Sequence, residues 1–347
     1  MTVNEINTDK NQSVDIDTII LTQSEIRRLL PMRVCMDLIA QALTSLARGE
    51  SLNPLRSMIK LPKERGTFVL MPGMSGSPDA LGLKVLAVFP GNRNTPYDAH
   101  QGLVMLFDTE YGIPIAILDA SEVTAIRTAA VSGVATELLA REDSTELAIL
   151  GSGVQARTHL EAMLESRSFQ RVRVYSPTEA NRRNFAERES ERHGITVEAA
   201  PSSEDAVRGA DVICTVTPAK EIALKDSWIS PGTHINAVGG ADRLSRELDT
   251  DAVVHSSLFV DLRESALNEA GDFLIPKDEG VIDDTHIMGE IGEILLGDVT
   301  GRENEEDITL FKSLGLAVED LVSAHYILER ARAEGVGISV PLGGLSH

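Results

Sequence analysis

A glycine-rich segment near the middle of the chain has the spacing of a nucleotide-binding turn. Residues 146–150 (ELAIL) have strand character and run directly into Gly151-Ser152-Gly153-Val154-Gln155-Ala156, which fits the pattern G-x-G-x-x-A. Gly151 permits a sharp turn, Gly153 lets the backbone approach a pyrophosphate, and Ala156 lets a helix pack closely against the strand. The amide groups at the start of that helix then face the phosphates. We therefore expect residues 151–156 to bind a dinucleotide.

Four further residues could bind or protonate a substrate. Arg127 lies among small residues (TAIRTAAVSG), where a cation needs a partner, either a substrate carboxylate bound bidentately or a structural acid. Lys84 lies in the apolar run LGLKVLAVF, so its amine either reaches solvent at an edge or is buried with a lowered pKa and exchanges protons with a substrate nitrogen. Arg56, taken alone, is typical of a solvated surface. His100, in a loop, is either structural or a lining residue of the same cleft.

The end of the second predicted strand of the nucleotide-binding region indicates which cofactor is bound. An NAD site normally has an acid here for the ribose 2′-hydroxyl, whereas this chain has Tyr175-Ser176-Pro177-Thr178. Ser176, Thr178 and Arg182 could accept a 2′-phosphate, so the sequence favours NADP(H), although a serine also tolerates NAD(H). We assign three residues at later strand ends to the same site: Thr215, Val238 and Gly239.

Two patterns of elements must position these residues. Strands separated by proline and glycine turns are predicted at residues 55–61, 67–71, 81–89, 102–108 and 114–119. A helix through about residue 139 follows, and strands then alternate with helices, which predicts a doubly wound parallel sheet. Beyond it we predict a loop over residues 271–284 and helices over residues 287–296 and 313–333.

Composition limits the classes of partner. Of the 347 residues, 53 are acidic and 32 basic, and a net charge of −21 disfavours nucleic acid and anionic membranes as partners. The two cysteines, Cys35 and Cys214, form no C-x-x-C pair or Cys/His cluster, so we expect neither disulfides nor a metal site. No stretch approaches membrane-spanning length. We expect a protein of the reducing cytoplasm.

Segments spread along most of the chain resemble the ornithine cyclodeaminase/mu-crystallin family. They are Gly82-Leu83-Lys84-Val85, Pro90-Gly91-Asn92, His100-Gln101-Gly102, Leu118-Asp119-Ala120, residues 124–130 (TAIRTAA), the GSGVQA turn, residues 210–213 (ADVI), residues 234–239 (HINAVG) and residues 311–315 (FKSLG). The resemblance implies a homodimer, a nicotinamide cofactor and a small α-amino or α-imino acid substrate. It also implies that Arg56 and Arg127 contact the substrate carboxylate and that Lys84 lies on the substrate side.

The resemblance further implies two domains. The fold expected is α/β, a Rossmann doubly wound parallel sheet plus a second α+β domain for substrate binding and dimerisation built from both chain ends. We divide the chain into a mobile tail (residues 1–18), the substrate-binding and dimerisation domain (residues 19–129 and 313–347) and the Rossmann domain (residues 130–312).

One departure from the family pattern bears on the reaction. Cyclodeaminases of the family carry an aspartate after the strand at residues 234–238, but here that place holds Ala241 and Asp242 comes one residue later. This favours a redox reaction: NAD(P)H-dependent reduction of a small α-imino acid or cyclic ketimine carboxylate, or the reverse oxidation, with Lys84 as the catalytic residue. The alternatives are a cyclodeaminase-type lyase that uses NAD catalytically and a non-catalytic dinucleotide- or ligand-binding protein.

Overall fold

The computed structural model describes residues 17–218, 221–240 and 242–343. The predicted mobile tail lies outside these ranges except for its last two residues, and Thr18 already belongs to the first strand. The strands are β1 Thr18–Leu21, β2 Ser57–Lys60, β3 Thr67–Gly76, β4 Asp79–Val88, β5 His100–Phe107, β6 Pro114–Asp119, β7 Glu146–Leu150, β8 Arg171–Tyr175, β9 Val197–Ala199, β10 Val212–Thr215, β11 His234–Ala237, β12 Ser257–Val260, β13 Ile287–Glu290, β14 Thr309–Lys312 and β15 Ile338–Val340.

The helices pack on one face of the first sheet and on both faces of the second. They are α1 Gln23–Leu29, α2 Met32–Ala47, α3 Ala120–Leu139, α4 Val154–Ser166, α5 Glu179–His193, α6 Ser203–Val207, α7 Thr250–Val254, α8 Arg263–Glu269, α9 Gly271–Asp278, α10 Ile291–Leu296 and α11 Ala317–Glu334.

The first sheet has seven strands in the order β15-β1-β6-β5-β4-β3-β2, and only the β1–β6 pair is parallel. Side chains alternate between its two faces, as the period of a strand requires. One face packs against α3 and α11, and Lys84 on β4 points to this inner face, opposite Val104 of β5. The other face carries apolar side chains that remain partly exposed, among them Phe68, Leu81 and Leu103.

The second sheet has eight parallel strands in the order β13-β12-β14-β11-β10-β7-β8-β9. The chain moves outward from β7 to β8 and β9 on one side and to β10 and β11 on the other. The prediction of a doubly wound Rossmann sheet is therefore confirmed. Ligands of such sheets bind at the strand ends where the order reverses, here between β7 and β10.

Helix α3 connects the two sheets. It is buried on nearly every side and contacts α2, α4, α11 and β5, which explains why its sequence is apolar and small on all faces. Asp119 caps its N-terminus by accepting hydrogen bonds from the backbone amides of Ser121 and Glu122. The helix carries Arg127 into the space between the first sheet and α11.

Several predicted elements near the C-terminus were wrong. The loop predicted over residues 271–284 contains α9, which begins at Gly271 and includes Pro276, two residues that disguise a helix in sequence. The helix predicted over residues 287–296 is β13 followed by α10. The helix predicted from residue 313 begins at Ala317, because Gly315 has φ +77° and cannot continue a helix. Strands β14 and β15 were not predicted.

Within residues 17–218, 221–240 and 242–343, no single helix has the length and apolar character to span a membrane. Helices α1 and α2 have sufficient length and apolar character only when they are taken together, and they are bent by 82° relative to each other. Both cysteines are buried and unpaired.

Gly292 tests the packing of α10 on α2. A Cβ at this position would lie 2.4 Å from the carbonyl oxygen of Leu43 and 3.0 Å from Cβ of Ala47. We expect Gly292→Val to lower the free energy of unfolding by about 1–3 kcal/mol because the helices must separate. Thermal and urea unfolding measure this, with Gly91→Ala, whose Cβ would meet no atom within 4 Å, as the control. Equal stability of Gly292→Val and wild type would contradict this packing.

Candidate active site

Two of the predicted substrate-binding residues, Arg56 and Arg127, meet at the turn formed by residues 314 and 315, and a third, Lys84, is linked to Arg127. Arg56, immediately before β2, donates from Nη2 to the carbonyl oxygens of Leu314 and Gly315, both at 3.0 Å. The guanidinium of Arg127 packs against Gly315 so closely that a Cβ there would lie 2.1 Å from Nη1. Lys84 is joined to Arg127 through a shared carboxylate. Residues from three separate elements thus come together at one place.

Lys84 is buried, with 1% of its surface exposed, so of the two alternatives for this residue the buried one applies. Its Nζ forms an ion pair with Oδ2 of Asp320 at 2.7 Å and a long hydrogen bond to Oγ1 of Thr124 at 3.4 Å. An ammonium group has three N–H donors, so these two contacts, among the described residues, leave one for a ligand. Burial lowers the pKa of Lys84 to about 7, assisted by the charge of Arg127 and opposed by Asp320. Such an amine can exchange a proton near neutral pH.

Arg127 forms ion pairs with structural acids, which is one of the two alternatives that its sequence context allows. Nη1 donates to Glu319 at 2.8 Å and Nε donates to Asp320 at 2.9 Å, with only 4% of the side chain exposed. No described residue hydrogen-bonds to Nη2, so this donor remains available to a substrate carboxylate. Burial raises the pKa of Glu319 to about 7, although Arg127 opposes the change.

Arg56 connects the two sheets. Its Nε pairs with Oε2 of Glu269, at the end of α8, at 2.8 Å, and 12% of its side chain is exposed. Arg56 is therefore not the solvated surface residue that its local sequence alone would indicate. Among the described residues, Nη1 of Arg56 has no partner. It is a second donor that could bind a carboxylate.

His100 lies on the same face of the first sheet as Lys84. It begins β5, opposite Val88, and therefore points to the inner face four residues along the strand from Val104, the neighbour of Lys84. The residue is solvent-exposed. Partial desolvation lowers the pKa of His100, Asp98 opposes this, and the positive charge of Lys84 adds to it. The imidazole thus lies at the open side of the site within the field of the lysine.

The turn after β7 has the shape that a pyrophosphate requires. Gly151 has φ +131° and a Cβ on it would lie 2.8 Å from the carbonyl oxygen of Val216, so a side chain is excluded there. A Cβ on Gly153 would meet no protein atom within 4 Å, which leaves open space over the turn. Gly153 is also the N-cap of α4 and no side chain caps this helix. The uncapped amides and open space fit the phosphates of a dinucleotide.

Hydroxyl groups and one arginine surround the end of β8. Oγ of Ser152 donates to Oγ of Ser176 at 2.9 Å, which ties the glycine turn to this strand end. Arg182 donates to the carbonyl oxygen of Ser176 at 3.1 Å, and its guanidinium lies 5.6 Å from the ring centre of Tyr175. Thr178 is the N-cap of α5, but its side chain makes no capping hydrogen bond. These groups can donate to a phosphate on the ribose.

A buried network holds the loop after β11. Gly239 donates its amide to Glu247 at 2.8 Å and its carbonyl oxygen accepts from Lys312, which pairs with Asp272 at 2.9 Å. Thr215 is fully buried and its hydroxyl donates to Glu247 at 2.6 Å. The side chain of Thr215, assigned above to the cofactor site, therefore supports this loop. Val238 and Gly239 present backbone at the cofactor end of the sheet.

Sequence reasoning missed the acids that hold the site together. Besides Glu247 and Asp272, the latter paired with Lys312, these are Glu269, Glu319 and Asp320, together with Asp261, which accepts from the amides of Leu314 and Gly315 at 2.6 and 2.7 Å. One signal was available. Glu319 and Asp320 are adjacent acids in an otherwise apolar helix (LAVEDLVSA), where buried charges require partners.

The position of the cyclodeaminase aspartate is occupied here by Ala241, which lies outside the described residues. Asp242 is exposed, and its carboxylate accepts from the amide of Leu244 and the hydroxyl of Ser245, so it stabilises its own loop. Among the described ranges, no three acidic, histidine or cysteine side chains are grouped so as to hold a metal ion.

Comparison with known proteins identifies the family. A sequence model of the ornithine cyclodeaminase/mu-crystallin family matches residues 16–335. The chain belongs to this family. The resemblance inferred from sequence is therefore confirmed.

Relatives include a Bacillus cereus Δ1-pyrroline-2-carboxylate reductase, 36% identical over 320 residues that cover 92% of this chain and 98% of the relative. Mouse ketimine reductase mu-crystallin is 42% identical over 281 residues, covering 81% and 86%.

Solved structures of the family superpose closely on the chain. The Thermococcus litoralis Δ1-pyrroline-2-carboxylate reductase in complex with NADH and L-proline has a TM-score of 0.91 at 40% identity, covering 93% of this chain and all of that one. An archaeal alanine dehydrogenase dimer with bound NAD has a TM-score of 0.88 at 32% identity, covering 93% and 99%.

Gly153 gives a direct test of the cofactor site. We expect Gly153→Val to weaken NAD(P)H binding at least about a hundredfold, because the side chain would fill the space over the turn that a pyrophosphate needs. Fluorescence titration with NADH and NADPH measures the affinity. The melting temperature without cofactor should not change, since no protein atom lies within 4 Å of the added Cβ. Unchanged cofactor affinity in the folded variant would disprove the assignment.

Proposed function

We propose that the protein is an NAD(P)H-dependent reductase that converts a small α-imino acid or cyclic ketimine carboxylate into the α-amino acid, and that it also catalyses the reverse oxidation. One observation supports this proposal above all: Lys84, with a pKa near neutrality, lies beside two arginines that each keep an uncommitted donor. Family membership, and relatives named as a Δ1-pyrroline-2-carboxylate reductase and a ketimine reductase, support the same reaction.

The residues of the site have separate roles in this proposal. Nη1 of Arg56 and Nη2 of Arg127 bind the substrate carboxylate, which fixes the α-carbon between them. The remaining N–H of Lys84 donates to the imine nitrogen and supplies the proton that the product amine keeps. When bound, the nicotinamide supplies the hydride that reduces the imine carbon. His100 lines the open side of the same site.

The substrate loses access to water when it occupies this place. Lys84, Arg127, Glu319 and Asp320 are almost completely buried, and exclusion of water strengthens the hydrogen bonds that orient the carboxylate and the nitrogen. Hydrolysis of an imine needs water, so a dry site also protects the substrate. Reduction is favoured over cyclodeamination because Asp242 is committed to its own loop.

For the cofactor, NADH is bound by the Thermococcus litoralis relative and NAD by the archaeal alanine dehydrogenase. We propose that this chain binds NADPH at least as well as NADH. The support is the end of β8, where Ser176, Thr178 and Arg182 provide donors and no acid lies at positions 175–178.

We also propose that the protein is a homodimer. The outer face of the first sheet is apolar and partly exposed, with Phe68, Leu81 and Leu103 on three adjacent strands, and a second copy would cover it. The archaeal alanine dehydrogenase of the same fold is a dimer. The reducing cytoplasm remains our proposed location, in keeping with two unpaired thiols.

Turnover of defined imines tests the function. The purified protein should oxidise NADH or NADPH with Δ1-pyrroline-2-carboxylate, larger cyclic ketimine carboxylates, or imines formed in situ from 2-oxo acids and amines. Absorbance at the reduced nicotinamide band measures the rate. Release of ammonia from a diamino acid without net NADH change would instead identify a cyclodeaminase. Cofactor binding without turnover of any of these compounds would identify a binding protein.

Lys84 and Arg127 should affect different kinetic constants. We expect Lys84→Met to lower kcat by about 10²-fold or more, because the imine nitrogen loses its proton donor while Asp320 keeps its pairing with Arg127. Arg127→Lys retains a cation for Asp320 but loses the second donor, so it should mainly raise KM, by about tenfold or more. Steady-state kinetics on the best imine measures both. Wild-type kcat in Lys84→Met would show that the proton comes from elsewhere.

Ser176 should control the choice of cofactor. We expect Ser176→Asp to shift the affinity ratio towards NADH by more than about tenfold, because a carboxylate binds the ribose 2′-hydroxyl and repels a 2′-phosphate. The control is Ser176→Asn, because asparagine has nearly the size of aspartate but carries no charge. Dissociation constants for both cofactors measure the ratio. A wild-type protein that binds NADH alone would refute the assignment of Ser176, Thr178 and Arg182.

A further inference from the structure

Among the described residues, Asp320 is the one carboxylate that contacts both Lys84 and Arg127. Its Oδ2 lies 2.7 Å from Nζ of Lys84 and its Oδ1 lies 2.9 Å from Nε of Arg127, and the side chain has no exposed surface. Its neighbour on α11 is Glu319. Among the described residues, the only ion-pair partner of Glu319 is Arg127. Two adjacent buried acids therefore have different partners. Substitution of Asp320 should therefore affect both Lys84 and Arg127, whereas substitution of Glu319 should affect Arg127 directly and leave Lys84 its carboxylate partner.

We propose that Asp320 is a positioning residue of the reaction, which keeps Lys84 charged and directed at the substrate nitrogen while it holds Arg127 in place for the substrate carboxylate. This inference rests on the proposed function. Asp320 acts through Lys84 and Arg127 and does not itself contact the substrate.

The charges around Lys84 show why the carboxylate is needed. Arg127 on α3, Arg56 before β2 and His100 on β5 face the lysine as groups that are, or become, positive. Burial also disfavours the ammonium form. Among the largest influences on the pKa of Lys84, the carboxylate of Asp320 is the one that favours protonation, whereas burial, Arg127 and Arg56 oppose it. Without the charge of Asp320, the pKa of Lys84 would fall further, and a smaller fraction of the lysine would carry the proton at physiological pH.

The contact with Arg127 fixes an orientation. A guanidinium held at Nε by Asp320 and at Nη1 by Glu319 cannot rotate. The N–H groups of its third nitrogen, Nη2, therefore point in a fixed direction. Glu319 contributes to this second effect alone. Loss of Glu319 should therefore weaken substrate binding without changing the protonation of Lys84.

The pH dependence of reduction separates the two acids. Lys84 has a pKa of about 7, so it is protonated below that pH, and kcat for reduction should fall as the pH rises through this value. In Asp320→Asn the fall should move at least about one pH unit lower, because the stabilising charge is gone, and kcat at pH 7.5 should drop at least about tenfold. In Glu319→Gln the midpoint should stay while KM rises. The measurements use saturating NADH and the best imine.

Glu319 is also the main rival explanation, since its own pKa is about 7. If its carboxyl causes the fall in kcat, the pH dependence should disappear in Glu319→Gln. That result would overturn the proposal. An unchanged midpoint in folded Asp320→Asn would overturn it equally.

A readout independent of turnover completes the test. Protein labelled with ¹³C-lysine gives a titration of the Cε resonance of Lys84, assigned by its loss in Lys84→Met. The midpoint should fall in Asp320→Asn and persist in Glu319→Gln. This experiment holds even when no tested imine is reduced, so failure of the proposed function and failure of the inference are distinguishable. Binding of NADH to each variant verifies the fold.

Asp320→Glu covers the case in which Asp320→Asn does not fold. The charge is kept but moves by one methylene, so the pH midpoint should remain close to that of the wild type while kcat falls at least about fivefold at every pH. Wild-type kcat in Asp320→Glu would overturn the positioning role. In a Lys84→Met background, adding Asp320→Asn should lower kcat by less than about threefold, since Lys84, through which Asp320 affects the proton transfer, is absent, whereas the remaining effect through Arg127 should appear in KM.

Discussion

Three cations and three carboxylates are held together with little access to water, and the remainder of the site depends on this balance. Arg56, Lys84 and Arg127 face Glu269, Glu319 and Asp320. An uncompensated charge in such a place costs several kcal/mol, so each member requires its partner. The same constraint explains the lowered pKa of Lys84: the lysine has one carboxylate, shared with an arginine, in a desolvated pocket.

The two sheets contribute different parts of the site. The parallel sheet ends in a glycine turn with open space over Gly153, and the other sheet contributes Lys84 from its inner face. The turn at residues 314 and 315 joins them, since Asp261 of the parallel-sheet side binds its amides and Arg56 of the other side binds its carbonyl oxygens. Substrate and cofactor residues are therefore fixed relative to each other by a few buried hydrogen bonds.

The sequence allowed prediction of what local spacing determines. The glycine turn, the parallel sheet and the strands at residues 114–119, 171–175 and 257–260 follow from periodicity and turn residues. A lysine in a run apolar on both faces left two alternatives, an edge position or burial, and the structure decides for burial. The partners of Arg127 and Lys84 could not be predicted. Asp320 lies 193 residues from Arg127, and such a pairing exists only once α11 packs against α3. Helix α9 was missed because its proline and initial glycine suggest a loop.

The central claim is that one substrate contacts both arginines and the lysine, and a crystal structure of the complex with NADH and L-proline tests it most directly. The account predicts the carboxylate of L-proline between Arg56 and Arg127, with its nitrogen within about 3 Å of Nζ of Lys84. It also predicts that Asp320 retains both of its ion pairs. A carboxylate bound away from the arginines, or a nitrogen out of reach of Lys84, would contradict the account.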